Sequence, residues 1–303
     1  MKTLITGASG MVGTSVKQIF PSALTPRSSD LNLLMVPNLE GIDIVLHLAA
    51  RVGGLKANTK YVGDFYLENS TINNNLLEAA RQSGVKKVVS LLSTCVYPDS
   101  PYVSYPLTEE QLHLGPPHHS NFGYAYSKRM VDVLSRAYRQ QYGCNFITAI
   151  PNNLYGENDN FDLENGHVIP SLIRKVWEAK QNNINHVVCW GDGSPLREFT
   201  YSQDIAKILF FLLENYDEEF PINIGNTKEY SIKQVVDNIC FLLDYKGEIV
   251  WDISKPNGQH RKPSSNQKLL DLGWEHENYT SLEEGLKKTC EWFKIRYPDV
   301  RGV

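Results

Sequence analysis

Tyr124 and Lys128 stand four positions apart, the spacing that puts two side chains on one face of a helix. A ketone that receives a hydride becomes an alkoxide, so a positioned acid has to supply a proton as the charge on oxygen develops. Tyr124 is the candidate acid. A free tyrosine titrates at about 10, and bringing its phenolate toward neutrality takes about 4 kcal/mol. A lysine ammonium about 4 Å away contributes roughly that much at an effective dielectric of 20, which is the role expected of Lys128. The same ammonium can bind a cofactor ribose. Ser93, at the end of the apolar run Lys87 to Leu92, can donate to the same carbonyl.

Two further residues exceed what a simple reductase needs. Cys95 follows Ser93 at i+2, which in an extended segment directs both side chains at one ketone. His167 opens Gly-His-Val-Ile-Pro just before a helical stretch. A carbon beside a ketone can be epimerised when one residue removes its proton and another returns one to the opposite face. Thiol and imidazole, titrating at about 8.5 and 6.5, are suited to such exchange near neutrality. Alone, Cys95 reads as a small buried residue and His167 as a hydrogen bonder at a helix start. Their company with Ser93, Tyr124 and Lys128 favours proton transfer.

The elements that must position these groups are legible in outline. A short apolar strand, Lys2 to Thr6, runs into Gly7, Gly10 and Gly13 and then a helical pattern. Such a turn brings backbone N–H groups and a helix N-terminus up to a pyrophosphate. Apolar runs at Ile42 to Leu48, Lys87 to Leu92, Phe146 to Ile150 and Val187 to Trp190 read as buried parallel strands. Helical periodicity covers Asp64 to Ser83, Phe122 to Tyr142, Val168 to Ala179, Ser202 to Tyr216, Ser231 to Leu243 and Leu282 to Tyr297. The alternation predicts an α/β fold: a Rossmann-like doubly wound parallel sheet with a smaller α/β substrate-binding lobe over the carboxyl ends of its strands. The expected division assigns 1–155, with about 197–228, to the nucleotide domain and about 156–196 and 229–303 to the lobe.

Composition narrows the partners. The chain has 303 residues, 42% of them hydrophobic, enough for one large core and a second lobe. A net charge of −4 provides no broad basic field, which argues against nucleic acid or an anionic membrane as partner. The chain opens directly on a strand and glycine turn, and its longest apolar run, Ile208 to Leu213, is short, so a cytoplasmic protein without signal peptide or membrane span is expected. Five scattered cysteines fit neither a disulfide framework nor a zinc site, and no metal is expected.

The segments TGASGMVG, HLAARVGG (47–54), LSTCVYP (92–98), NFGYAYSKRM (121–130), PNNLYGENDNF (151–161), GHVIP (166–170) and WGDGSPLREF (190–199) closely resemble the GDP-L-fucose synthase family of extended short-chain dehydrogenase/reductases. The resemblance spans essentially the whole chain. It implies conversion of GDP-4-keto-6-deoxy-D-mannose to GDP-L-fucose by C3 and C5 epimerisation and C4 reduction with NADPH, in a homodimer. It places the epimerisation acid/base pair on Cys95 and His167 and the reductase triad on Ser93, Tyr124 and Lys128. NADP is implied to contact Gly7, Ser9, Gly10, Met11, Val12 and Gly13 of the turn. Further contacts are implied at Leu48, Ala49 and Ala50; Leu91 and Leu92; Lys128; Pro151, Asn152, Asn153 and Leu154; and His167. The segment Thr25 to Asp30 offers Arg27 and two hydroxyls before its only acid, which favours a 2′-phosphate, with Asp30 toward the adenine. Lys175, Trp190, Arg197, Asn257 and Lys262 match substrate-contacting positions. Lys175 replaces an arginine of bacterial members, Asn257 a frequent aspartate and Asn152 a common threonine.

Two alternatives differ at recognisable residues. Another nucleotide-sugar epimerase, dehydratase or reductase would either not need the Cys95/His167 pair or carry an Asp-Glu pair in place of Thr94 and Cys95. A non-catalytic cofactor-sensing protein of the same fold would tend to lose Tyr124 or Lys128.

Overall fold

The structure, a computed structural model, describes residues 1–255 and 259–303. The chain begins with β1 (Thr3–Thr6), α1 (Met11–Ile19), β2 (Ile44–His47), α2 (Leu55–Lys60), α3 (Val62–Gln82) and β3 (Lys87–Leu91). Next come α4 (Phe122–Tyr142), β4 (Phe146–Ile150), β5 (Asn153–Tyr155), α5 (Val168–Gln181), β6 (His186–Trp190) and β7 (Leu196–Tyr201). The remainder is α6 (Ser202–Asn215), β8 (Ile222–Asn223), β9 (Glu229–Ser231), α7 (Ile232–Leu242), β10 (Glu248–Asp252), α8 (Gln267–Asp271) and α9 (Leu282–Arg296).

Among the described residues, a five-stranded sheet has the order β1-β2-β3-β4-β8, and every pairing in it is parallel. Successive residues serve opposite faces. Leu4, Val45, Val88 and Phe146 join one apolar cluster with Leu76 and Leu77 of α3 and Val131 of α4. Their neighbours Ile5, Leu46, Val89 and Ile147 join another with Val16 of α1 and Ile205, Ile208 and Leu209 of α6. Burial on both faces explains why these strands read as unbroken apolar runs, and helices on both faces make the sheet doubly wound, as the sequence predicts.

The segment after α1 adds a single parallel bridge between Leu4 and Leu24 to the edge of the sheet. Beyond it, side chains of Asn32 and Asn38 accept from backbone N–H groups two residues on and wind the chain into turns. The run at Val187 to Trp190 is a parallel strand but lies outside the central sheet, where β6 pairs with β10. Only Val187 and Cys189 of β6 are buried. They belong to a third cluster, with Tyr155, Ile173, Val176, Val236, Leu286 and Phe293. A three-stranded sheet, β5-β7-β9, runs from the end of β4 toward that cluster.

Candidate active site

A cleft of about 710 Å³ opens along the carboxyl ends of the central strands, the usual ligand position in such sheets. Glycines make its floor. Gly7 has φ +70°, and a Cβ there would lie 2.7 Å from the Ala49 nitrogen. A Cβ on Gly13 would lie 2.2 Å from the Gly7 carbonyl oxygen, so only glycine lets α1 start this close to β1. Gly10 caps α1 without a side-chain bond, leaving the first helical N–H groups to meet a phosphate. The cleft extends from this turn to Ser93, Tyr124, Lys128 and His167. Its glycine cradle, helix N-terminus and volume fit a dinucleotide.

Ser9, Met11, Val12, Leu48, Ala49, Ala50, Leu91, Leu92, Pro151, Asn152, Asn153 and Leu154 also line this cleft. Arg27 and Asp30 do not; both are exposed, and the Ser29 hydroxyl donates to Asp30 at 3.0 Å. The wall there is instead made by Pro26, Ser28, Leu31, Asn32, Leu33 and Leu34. Sequence reading missed 31–34 because the segment has no period. Asn75 of α3 holds it in place by donating to the Leu33 carbonyl at 3.0 Å.

The chemistry-bearing side chains come from four elements. Ser93 follows β3 with an extended backbone, and its hydroxyl accepts from the Cys95 N–H. That bond turns Thr94–Val96 into a short 3-10 helix, so the extended segment expected through Cys95 does not form. Arg129 of α4 donates to the Val96 carbonyl, tying the cysteine turn to the helix that carries Tyr124 and Lys128. Lys128 is buried and donates to the Leu91 carbonyl at 2.8 Å; burial lowers it to about 8. Burial pushes Tyr124 up rather than down, with a Cys95 thiolate adding to the rise. The expected depression of Tyr124 by Lys128 is not found: burial and Cys95 both raise it, and Tyr124 keeps the proton an acid must give. Burial also raises the Cys95 thiol, while Ser93, Lys262 and Lys128 draw it back. His167 is the extended N-cap residue of α5, its ring not used for capping.

A second set of cations is linked to Cys95 through the charge of Lys262. Burial lowers Lys262, and the charges of Cys95 and Asp99 oppose that, while Arg197 reinforces it. Arg197 donates to the Leu196 carbonyl at 2.7 Å. Buried Glu198 fixes the neighbouring segment by accepting from the Ser264 N–H at 2.8 Å and its hydroxyl at 2.6 Å. Trp190 is 60% exposed, with the Lys255 ammonium 5.9 Å from its ring centroid. Lys175 on α5 is half-buried, and its charge reaches Cys189. None of Lys175, Trp190, Arg197 and Lys262 lines the dinucleotide cleft. Asn257 lies outside the described residues.

The fold and cleft define an enzyme of the dinucleotide-binding α/β class. A profile of the NAD dependent epimerase/dehydratase family matches residues 26–225. The GDP-L-fucose synthase of Dictyostelium discoideum is 42% identical, covering 98% of this chain and 97% of its own. That of Sinorhizobium fredii is 40% identical over 97% and 96%. The crystal structure of a GDP-L-fucose synthetase from Naegleria fowleri bound to NADP superimposes with a TM-score of 0.89 at 39% identity, covering 99% of this chain and 95% of that one. The chain belongs to the NAD dependent epimerase/dehydratase family and, within it, to the GDP-L-fucose synthases.

Proposed function

We propose that this chain converts GDP-4-keto-6-deoxy-D-mannose to GDP-L-fucose, epimerising C3 and C5 and reducing C4 with NADPH. The observation that carries the reading is the convergence of two proton-transfer sets on one region. Cys95 is close enough for its charge to act on both Tyr124 and Lys128, and His167 lines the same cleft as those two.

Bound NADPH supplies the hydride for C4. In the epimerisation Cys95 takes the ring proton and His167 returns one to the opposite face, with Ser93 and Tyr124 donating hydrogen bonds to the C4 oxygen as enolate charge develops. Lys262 and Lys128 favour the Cys95 thiolate this step requires. In the reduction Tyr124 gives its proton to the C4 oxygen, and Lys128 holds the ribose and favours the phenolate left behind. Gly7, Gly10 and Gly13 hold the dinucleotide pyrophosphate. The GDP diphosphate requires cations in a protein of net charge −4, and Lys175, Arg197 and Lys262 fill that role, with Trp190 beside the sugar nucleotide.

The same reading divides the chain into a nucleotide domain, 1–155 with about 197–228, and a substrate lobe, about 156–196 with 229–303. Most of a separate apolar cluster, around Ile173, Val236 and Phe293, falls within the lobe and supports that division, with Tyr155, Phe199 and Tyr201 joining it from the nucleotide segments. On the same reading the protein acts as a cytoplasmic homodimer. Among the described residues no helix is long and apolar enough to cross a membrane.

Reaction of the purified protein with GDP-4-keto-6-deoxy-D-mannose and NADPH in heavy water tests this. GDP-L-fucose carrying deuterium at C3 and C5 is the expected product. A sugar reduced at C4 without label would make the protein a plain ketoreductase and Cys95 and His167 structural.

A further inference from the structure

Asp159 lines the cleft beside His167 and is 5% exposed. One carboxylate oxygen, Oδ1, accepts the Asn160 N–H at 2.7 Å. The other, Oδ2, is buried with no hydrogen-bond partner among the described residues. A buried carboxylate oxygen left unpaired is costly, and native structures retain one where another role requires it. Burial raises the Asp159 carboxyl, and the His167 charge is the largest of the influences that draw it back.

The loop between Asp159 and His167 is braced so that the two face one cleft. Asn158 is left-handed, with φ +63°. A Cβ on Gly166 would lie 2.5 Å from the Asp162 carbonyl oxygen, and the Gly54 N–H donates to the Asn165 carbonyl at 2.8 Å. From the far end of the chain, the Arg301 carbonyl accepts the Phe161 N–H at 2.8 Å. A purely structural role, ending the turn at Asn160, uses Oδ1 alone and leaves Oδ2 without a purpose.

We propose that Asp159 is the positioning residue for His167: its free oxygen faces the imidazole, orients it and favours the imidazolium, so that His167 stands loaded with the proton it gives to the sugar ring. This rests on the reading of His167 as the epimerisation acid. In each inversion the imidazolium proton goes to carbon, the displaced ring proton goes to Cys95, and exchange with solvent restores both groups. Other charged or titratable groups bordering the cleft are Arg301, which also lowers Asp159, Arg51 paired with Glu68, Tyr124 and Lys128. Glu164 on the same loop is paired with Lys56 of α2.

The test is NMR titration of the His167 ring in the full-length protein, its signal assigned by loss in His167→Gln. In Asp159→Asn the His167 midpoint is expected to fall, since the charge that favours the imidazolium is removed. Asp159→Glu restores it toward the original value. The limb of kcat that falls with rising pH moves down with the midpoint in Asp159→Asn, with KM little changed. A midpoint unchanged in folded Asp159→Asn overturns the proposal. If that variant does not fold, the unmodified protein decides: Asp159 and His167 titrating with shared midpoints supports the pair, and independent midpoints overturn it. The titration needs no substrate, so it fails or succeeds separately from the heavy-water reaction.

Discussion

At the scale of single residues, the site sets burial against charge. Tyr124 is pushed up and Lys128 down to about 8 by the same loss of water, so the pair begins at neutral pH as a protonated acid beside a lysine that is still an ammonium. Tyr124→Phe should lower kcat for reduction by about 10²- to 10⁴-fold, the usual worth of a positioned acid, while NADPH affinity by fluorescence titration stays near that of the unmodified protein. For Lys128 the folded value lies below the ordinary one, so the ammonium is retained below about 8 and lost above it. NADPH binding is therefore expected to weaken as pH rises through that value, and a flat affinity between pH 7 and 9 would refute the ribose role. Cys95→Ser should suppress deuterium incorporation from heavy water into the sugar ring and leave NADPH binding intact; full labelling would remove Cys95 from the epimerisation.

At the scale of elements, a buried polar chain joins the glycine turn to the helix carrying Tyr124. The Thr6 hydroxyl lies 2.9 Å from His47 Nδ1, His47 Nε2 lies 2.9 Å from Asn73 Oδ1, and Asn73 donates to the Ser127 carbonyl at 3.3 Å. These contacts fix β1, β2, α3 and α4 to one another across the cleft floor. Two asparagines of α3 thereby have a structural role: Asn73 bridges His47 to α4, and Asn75 secures the loop at Leu33. Burial lowers His47 to about 3. Because the folded value is depressed, its stabilising effect is complete above about 6.5 and is lost as pH falls toward about 3. The full loss would be on the order of 5 kcal/mol, and urea midpoints between pH 7 and 5 should already decline. His47→Gln should flatten that decline; an unchanged slope would place its origin elsewhere. Gly13→Ala drives a methyl into the Gly7 carbonyl and is expected to abolish NADPH binding, read by the same fluorescence titration.

At the scale of the whole molecule, α3 and α4 pack against each other but leave an apolar outer face. Leu67 is 66% exposed and Phe122 52%, with Tyr66, Met130 and Val133 also at the surface. In the homodimer proposed above, this surface is the expected interface, and two copies joined there would form a four-helix bundle. Leu67→Glu with Val133→Glu should convert a dimer to a monomer in sedimentation velocity, whereas a dimer surviving both changes would move the interface elsewhere. The C-terminal residues act at a distance of a different kind. Arg174 donates to the Gly302 carbonyl at 2.6 Å, and together with the Arg301 contact to Phe161 this clamps the loop before His167. Removing residues 301–303 should speed amide exchange across 158–166 and leave β1 to β4 protected.

The amino-acid order alone determined four strands of the central sheet, β1 to β4, and the long helices flanking it, but not the two-residue β8 at its edge. The unbroken apolar runs of β1 to β4 and the period of α4, whose bounds agree with the sequence reading, depend on local pattern and on burial of both sheet faces. The glycine turn and the Tyr124/Lys128 spacing were legible for the same reason, since each is a short-range geometry. Tertiary structure alone decided which groups meet. Leu31 to Leu34 reach the cleft because Asn75, over 40 residues away, holds them. Cys95 turns into a 3-10 helix under the influence of Ser93 and Arg129, and burial reverses the pKa shift that the Tyr124/Lys128 spacing alone predicts. Asp159 and His167 come to line one cleft through a loop with no period. Such contacts rest on long-range hydrogen bonds and on desolvation, and neither leaves a repeat in the chain that a reading of spacing could detect.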